Sequence, residues 1–376
     1  MYIPQEQLKY IFEFLLPQKA VIIYGSRRCG KTTLLNELLK QVKEKYIFVS
    51  GEDITVQNYL SSQSIEKLKS FIGEHKLVVI DEAQKIKNIG VNIKLILDHI
   101  NGIKVIATGS SSFDLAKQIG EPLTGRKYTL RMFPLAQLEI NNIQTIAETE
   151  ALLEQRLIYR SYPEVFLAES DTKRAEYLRE MISSSLYKDI LELDGVRHSD
   201  KLVRLLQLLA FQIGKEVSYT EVGQQLGMSK NTVDRYLDFL EKAFVIFKLN
   251  GFSRNLRKEI SKDSRYFFYD VGIRNALINN FNPLLVRNDV GLLWENYIIM
   301  ERIKKQEYSR ISANNYFWRT YDQKEIDFIE EREGKLYGYE IKWAARKGKL
   351  PKEWLETYSE SIYEVITKNN YLDFIV

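Results

Sequence analysis

The chain has 376 residues, 45% of them hydrophobic, a single cysteine (Cys29), and a net charge of +4 from 54 Lys and Arg against 50 Asp and Glu. That length accommodates two to four domains; one cysteine excludes an internal disulfide or a cysteine-based metal cluster, and the scattered His75, His99 and His198 offer no metal spacing. The charge balance permits nucleic acid without arguing for it, the N-terminus lacks a signal-peptide pattern, and no run approaches the ~20 apolar residues that span a bilayer, so a cytoplasmic protein without a membrane partner is expected.

The first strong signal in chain order is an apolar run of β type, Ala20-Val21-Ile22-Ile23-Tyr24, which feeds Gly25-Ser26-Arg27-Arg28-Cys29-Gly30-Lys31-Thr32-Thr33. A helical run with Leu34, Leu35, Leu38 and Leu39 on one face leaves it. Gly, four residues, then Gly-Lys-Ser/Thr is the phosphate-loop pattern. Gly25 and Gly30 let backbone N–H groups turn inward, Lys31 reaches the β- and γ-phosphates, and the Thr32 hydroxyl joins a Mg²⁺ shell. ATP and Mg²⁺ are therefore the expected cofactors, with 25–33 as the nucleotide-binding stretch. Cys29 reads as a small loop residue rather than a redox group.

A second apolar strand, Leu77-Val78-Val79-Ile80, ends in Asp81-Glu82. Strands apolar on both faces are parallel strands covered by helices, and carboxylates at their C-terminal ends face the ligand crevice. Asp81 is expected to hold Mg²⁺ and Glu82 to orient or polarise the attacking water. A third strand, 104–108, runs into Ser110, the candidate for contacting the γ-phosphate or the water, with Thr108 behind it; a helix cap or serine turn is an equal reading. Arg126, after Leu123-Thr124-Gly125, is the candidate arginine finger or γ-phosphate sensor, in cis or in trans, against the alternative of an ordinary solvated loop arginine.

These motifs, in this order and spacing, resemble the AAA+-type ATPases of a widespread prokaryotic group whose ATPase domain is followed by a C-terminal region of unknown function. The resemblance implies an α/β architecture with a parallel P-loop NTPase sheet over 1–140 and a helical lid or linker over 141–197. Ser26 and Cys29 depart from the proline and valine usual in that group, but neither supplies a ligand side chain. No arginine of the lid stands out as a second sensor, which leaves ring assembly open.

Residues 198–275 read as a winged helix. Leu202, Leu205, Leu206 and Leu209 line one helix, a second starts after the cap Thr220, Gly227 ends it, and Ser229 caps a third with Val233, Leu237 and Leu240 inward. The strand 244–249 follows. Lys230, Asn231 and Arg235 are then the exposed residues of a DNA recognition helix, beside the repelling Asp234 and Asp238. The basic stretch Arg254, Arg257, Lys258, Lys262 and Arg265 forms a candidate phosphate-contacting wing, with Arg257 and Lys258 its chosen contacts. A protein-interaction module or a nucleotide-responsive lid is the competing reading.

Residues 276–376 carry the second constellation. A helix beginning near Gly291 holds Glu295; the strand 325–329 holds Asp327; a turn at Glu333-Gly334 leads to a strand 336–343 with Glu340 and Lys342 on one face. This arrangement resembles the PD-(D/E)XK nuclease fold. The resemblance implies Asp327 and Glu340 as ligands of a second Mg²⁺ or Mn²⁺, Lys342 as the water-activating residue and Glu295 as an accessory carboxylate. A cross-strand salt bridge on an ordinary hairpin is the bland alternative.

Two functions are consistent with this chain. One is a Mg²⁺-dependent ATPase acting on DNA, with nuclease activity at the C-terminal site. The other is an ATP-switched protein-interaction or signalling module with a catalytically silent nuclease-like domain, working with a protein partner or as a homo-oligomer.

Overall fold

The computed structural model describes residues 2–109, 122–187, 199–253, 264–320, 324–344 and 351–376. The chain forms two units, Met1–Leu135 with Lys242–Phe244, and Ala136–Glu241 with Val245–Val376.

The first unit is built on a parallel sheet of β1 (Ala20–Gly25), β2 (Tyr46–Ser50), β3 (Leu77–Asp81), β4 (Lys104–Gly109) and β5 (Lys127–Met132) in the order β2-β3-β4-β1-β5. β1 and β3 are buried along their whole length, as their uninterrupted apolar sequence requires. The helix Lys31–Gln41 buries Leu34, Leu35, Leu38 and Leu39 against Val21, Ile23, Val79 and Ile106. β2 is an edge strand, and its exposure alternates. Because β4 lies between β1 and β3, the ends of all three strands open on one crevice.

The second unit begins with the helices Gln137–Ile140, Ile146–Ala151, Leu153–Tyr159, Pro163–Leu167 and Asp171–Glu180. The tract 156–165 packs inside this unit. Arg160 pairs with the buried Glu301 at 2.7 Å, the Asn275 amide donates to the carbonyls of Leu157 and Ile158, and a Cβ on Gly272 would sit 2.3 Å from the Tyr159 carbonyl.

Three further helices follow: Ser199–Phe211, Tyr219–Leu226 and Lys230–Lys242. The cap of the second is Ser218, whose hydroxyl accepts from the Glu221 N–H, and not Thr220, which lies one residue inside the helix. Gly227 closes that helix at φ +60°, and the Ser229 hydroxyl accepts from the Thr232 N–H at the start of the next.

The strands β6 (Glu216–Val217), β7 (Ile246–Gly251), β8 (Ser264–Phe268), β9 (Asn314–Arg319), β10 (Glu325–Arg332), β11 (Lys335–Ile341) and β12 (Ile362–Ile366) form one mixed sheet, ordered β12-β11-β10-β9-β7-β8-β6. The expected border at 275/276 does not interrupt it. The helix Val271–Leu277 crosses that border, and β7 pairs in parallel with β9 through Asn250↔Tyr316 and Gly251↔Phe317. Glu333 and Gly334, both at positive φ, make the tight turn between β10 and β11. The helix Val290–Tyr308 completes the unit, and no helix among the described residues is long and apolar enough to cross a membrane.

Candidate functional site

The phosphate loop leaves the end of β1. A Cβ on Gly25 would meet the Met132 carbonyl at 2.3 Å and the Cys29 sulfur at 3.0 Å, so no larger residue fits there. Arg28 and Gly30 take positive φ of 61° and 101° to close the loop onto the helix. Cys29 is fully buried and burial pushes its thiol up, which makes it a packing residue rather than a nucleophile. The Lys31 ammonium lies inside the loop, donating to the carbonyls of Gly25 (3.0 Å) and Ser26 (2.9 Å).

The Thr32 hydroxyl donates to Asp81 Oδ2 at 2.6 Å, and the Thr108 hydroxyl donates to Asp81 Oδ1. The Glu82 N–H is shared between Asp81 Oδ1 (3.2 Å) and Thr108 Oγ1 (3.1 Å). Thr108 is thus more central than its place behind Ser110 implied; Ser110 itself lies outside the described residues. Glu82 adopts a left-handed backbone, φ 52° and ψ 42°, and its carboxylate accepts from the Gln84 amide at 2.5 Å. Gly51, at the end of β2, touches this turn: its N–H donates to the Asp81 carbonyl at 2.7 Å. Thr32 and Asp81 present only oxygen donors, which fits Mg²⁺.

Arg126 is not at this crevice. It precedes β5, whose register runs Ala20↔Lys127 to Gly25↔Met132, and it pairs with Asp98. The phosphate loop lies at the opposite end of the strand, about 20 Å away at ~3.3 Å per residue. A sensor of the γ-phosphate in cis is therefore ruled out for Arg126, whose position follows from a parallel strand that the sequence reading had not recognised.

In the second unit Glu295, Asp327, Glu340 and Lys342 come together. Asp327 sits where the β9–β10 register shifts between Ile326 and Ile329; its Oδ2 accepts the Ile341 N–H at 2.8 Å and lies 3.7 Å from the Lys342 ammonium. Lys342 is 2.6 Å from Glu340. Burial and then the Asp327 charge push the Glu295 and Glu340 carboxyls up, Glu295 far above the ordinary range; burial also lifts Asp327, against the pull of Lys342. Burial would lower Lys342, but Asp327 and Glu340 more than offset it and hold the ammonium charged. These acids crowd one another and are relieved by a cation. Oxygen donors suit a hard divalent ion, yet among the described residues no three His, Cys, Asp or Glu form a preformed metal set, and the Lys342 ammonium lies against both carboxylates.

Two residues of this site escaped the sequence reading. The Tyr363 hydroxyl is buried, and its proton is held more tightly by burial, then by Glu340 and Asp327. Arg265, read as a wing residue, is instead buried. It pairs with Glu325 at 2.6 Å, approaches Glu295 at 3.8 Å and stacks over the Phe317 ring, so it cannot contact phosphate from the surface. Lys230, Asn231 and Arg235 are exposed on their helix, as are Asp234 and Asp238. Arg257 and Lys258 lie outside the described residues.

Residues 17–141 match the family model of an AAA domain, 150–284 a domain of unknown function (DUF8612), and 290–369 another (DUF4143). The first unit has the fold of an AAA-type P-loop ATPase. The Walker-type ATPase PABY2304 of Pyrococcus abyssi shares that fold, with a TM-score of 0.50 and 16% identity over 74% of this chain and 96% of that one. An uncharacterized protein of Methanocaldococcus jannaschii is 26% identical over 334 residues, 84% of this chain and 73% of its own. One of Mycobacterium tuberculosis is 27% identical over 328 residues, 86% and 70% respectively.

Proposed function

We propose that the chain is a Mg²⁺-dependent ATPase that acts on DNA. The observation that carries the first part is the hydrogen-bonded line from Thr32 through Asp81 and Thr108 to the Glu82 backbone, directly beside the phosphate loop. Backbone N–H groups of 25–33 and the Lys31 ammonium bind the phosphates, and Thr32 and Asp81 would hold a Mg²⁺ that would offset charge on the phosphate oxygens. Glu82 orients a water and takes its proton as the water oxygen bonds to the γ-phosphorus; the bond to the bridging oxygen breaks and ADP leaves.

DNA is favoured by the exposed Lys230, Asn231 and Arg235 on the helix after the Gly227 turn, with β7 and β8 behind it in the order of a winged helix. Arg257 and Lys258 are the proposed further phosphate contacts. The C-terminal acids favour phosphodiester cleavage, with Asp327 and Glu340 as ligands of a Mg²⁺ or Mn²⁺, Glu295 as their accessory carboxylate and Lys342 positioning the water. The contrary reading, an ATP-switched interaction module, is favoured by the close Lys342–Glu340 pair, which fills the place of a cation. Any finger role for Arg126 is a trans role and needs a homo-oligomer.

The test is ATP turnover with and without DNA, beside Lys31→Ala, and Mg²⁺- or Mn²⁺-dependent nicking of plasmid and single-stranded DNA beside Asp327→Ala. Lys31→Ala should abolish turnover; full activity in that variant refutes the ATPase assignment. Nicking lost in Asp327→Ala establishes the second site as a nuclease. No nicking under any condition, with turnover indifferent to DNA, favours the switch.

A further inference from the structure

Glu82 is anchored by its backbone from several sides, but its carboxylate has a partner of its own. The chain turns sharply after β3 into a single 3-10 turn, Ala83–Lys85, and Gln84 on that turn reaches back to donate its amide N–H to Glu82 Oε2 at 2.5 Å. Both residues are half-buried at the mouth of the crevice, with Ala83 and Ile86 fully buried on either side of Gln84. The Lys85 N–H donates to the Glu82 carbonyl at 3.0 Å and the Ile86 N–H to the Ala83 carbonyl at 3.1 Å, so the turn that carries the amide is tied to the residue it holds.

We infer that Gln84 is a positioning residue for ATP hydrolysis: its amide holds one oxygen of the Glu82 carboxylate and leaves the other, Oε1, facing the water. This rests on the reading of Glu82 as the residue that orients that water. A glutamate side chain has three rotatable bonds, and a base must lie within hydrogen-bond reach of its proton and aligned with it, so an amide that selects one rotamer removes unproductive ones. The side-chain amide suits this task because it donates without carrying charge: it fixes the carboxylate without weakening it as a base to the degree that a lysine ammonium there would. The two-residue spacing also matters. It lets a short turn return the amide to the preceding carboxylate, whereas a neighbour on a regular helix would need three or four residues.

The experiment compares Gln84→Leu and Gln84→Glu with Glu82→Gln. Leu keeps the bulk and loses the donor; Glu keeps the shape, cannot donate at neutral pH and sets a like charge against Glu82. Both should lower kcat about tenfold or more, as misplaced catalytic groups do. KM for ATP, affinity for a fluorescent ATP analogue and the melting temperature should stay at wild-type values, and the double variant Glu82→Gln/Gln84→Leu should lose nothing beyond Glu82→Gln. Wild-type kcat in both Gln84 variants beside an inactive Glu82→Gln overturns the positioning role and leaves the Glu82 reading intact. A fall in ATP affinity that accounts for the whole loss also overturns it, because it marks Gln84 as structural. Turnover surviving in Glu82→Gln instead removes the reading on which the inference stands.

Discussion

Gly51→Ala tests whether the placement of the Glu82 backbone limits turnover, because it perturbs that backbone without touching the phosphate loop. Gly51 closes β2, and a Cβ there would lie 2.3 Å from the Glu82 carbonyl oxygen, 3.0 Å from its carbon and 3.3 Å from the Asp81 carbonyl oxygen. Ordinary van der Waals contact for a Cβ lies at 3.4–4 Å, so one side must yield by ~1 Å or more. Gly51 cannot easily retreat, since its N–H is bonded to the Asp81 carbonyl and its own carbonyl accepts from the Gln57 side chain at 2.8 Å. The Glu82 turn moves instead and carries the carboxylate with it. Overpacking of this kind costs about 1–3 kcal/mol of stability, and a shift of ~1 Å at a catalytic group costs about a hundredfold in rate. Steady-state ATP hydrolysis should therefore show kcat reduced ten- to a hundredfold or so, with ATP affinity retained because Lys31 and Thr32 are undisturbed. Gly73→Ala is the control: a Cβ there meets nothing within 4 Å, although φ +58° with ψ −129° is a backbone that L side chains rarely adopt and costs about 1–3 kcal/mol locally. A Gly51→Ala protein with wild-type kcat refutes the reasoning.

Arg302 makes a two-pronged pair with the fully buried Glu330, at 2.5 and 2.9 Å, and Arg332 at 3.1 Å with the Gln306 amide at 2.7 Å compensates that carboxylate only in part, so Arg302→Met should lower stability in urea unfolding by up to about 3 kcal/mol, the low end for a broken buried pair. Asp270 has its carboxyl lifted by burial from 3.8 to about 6, so the native state keeps a proton that the unfolded chain gives up. Its stabilising contribution is full below pH 4 and falls by about 3 kcal/mol as pH rises through 6. Asp270→Asn keeps a side-chain oxygen for the Gly272 and Ile273 N–H groups and should remove that part of the pH dependence when melts at pH 4 and pH 7.5 are compared. If Lys230 and Arg235 face DNA phosphates, the double alanine variant should flatten the slope of log affinity against log salt by about two, and an unchanged slope moves DNA off this helix.

What was legible in the sequence was local. The phosphate loop, the Asp81-Glu82 strand end and the Glu333-Gly334 hairpin are each set by a few neighbouring residues, and each pattern has a short-range steric or hydrogen-bonding cause. What was not legible depends on strand order. Thr108 reaches Asp81 only because β4 lies between β1 and β3. Gly51 matters only because β2 ends beside β3; β2 carries the apolar run Tyr46-Ile47-Phe48-Val49, but its place as a half-exposed edge strand follows from strand order. Arg265 looked like part of a basic surface stretch until β8 carried it inward to Glu325 and Glu295. Tyr363 reaches the acids from β12, a strand read neither from its length nor from its pattern.

One sheet spans the expected 275/276 border. β7 and β8, which follow the exposed helix Lys230–Lys242, form rungs of the same sheet as β10 and β11, which carry Asp327 and Glu340. Strands in one ladder share hydrogen bonds and packed side chains, so a displacement of one is felt by its neighbours. Arg265 makes the connection electrostatic as well: it rises from β8 into the acid cluster, where its guanidinium is among the charges that hold down the raised proton affinity of both Glu295 and Asp327. A ligand that displaced β8 would withdraw that charge and make the acids still harder to ionise together. A macromolecule bound on the exposed face of Lys230–Lys242 would therefore reach the acid–lysine cluster only if it moved β8 and Arg265 with it.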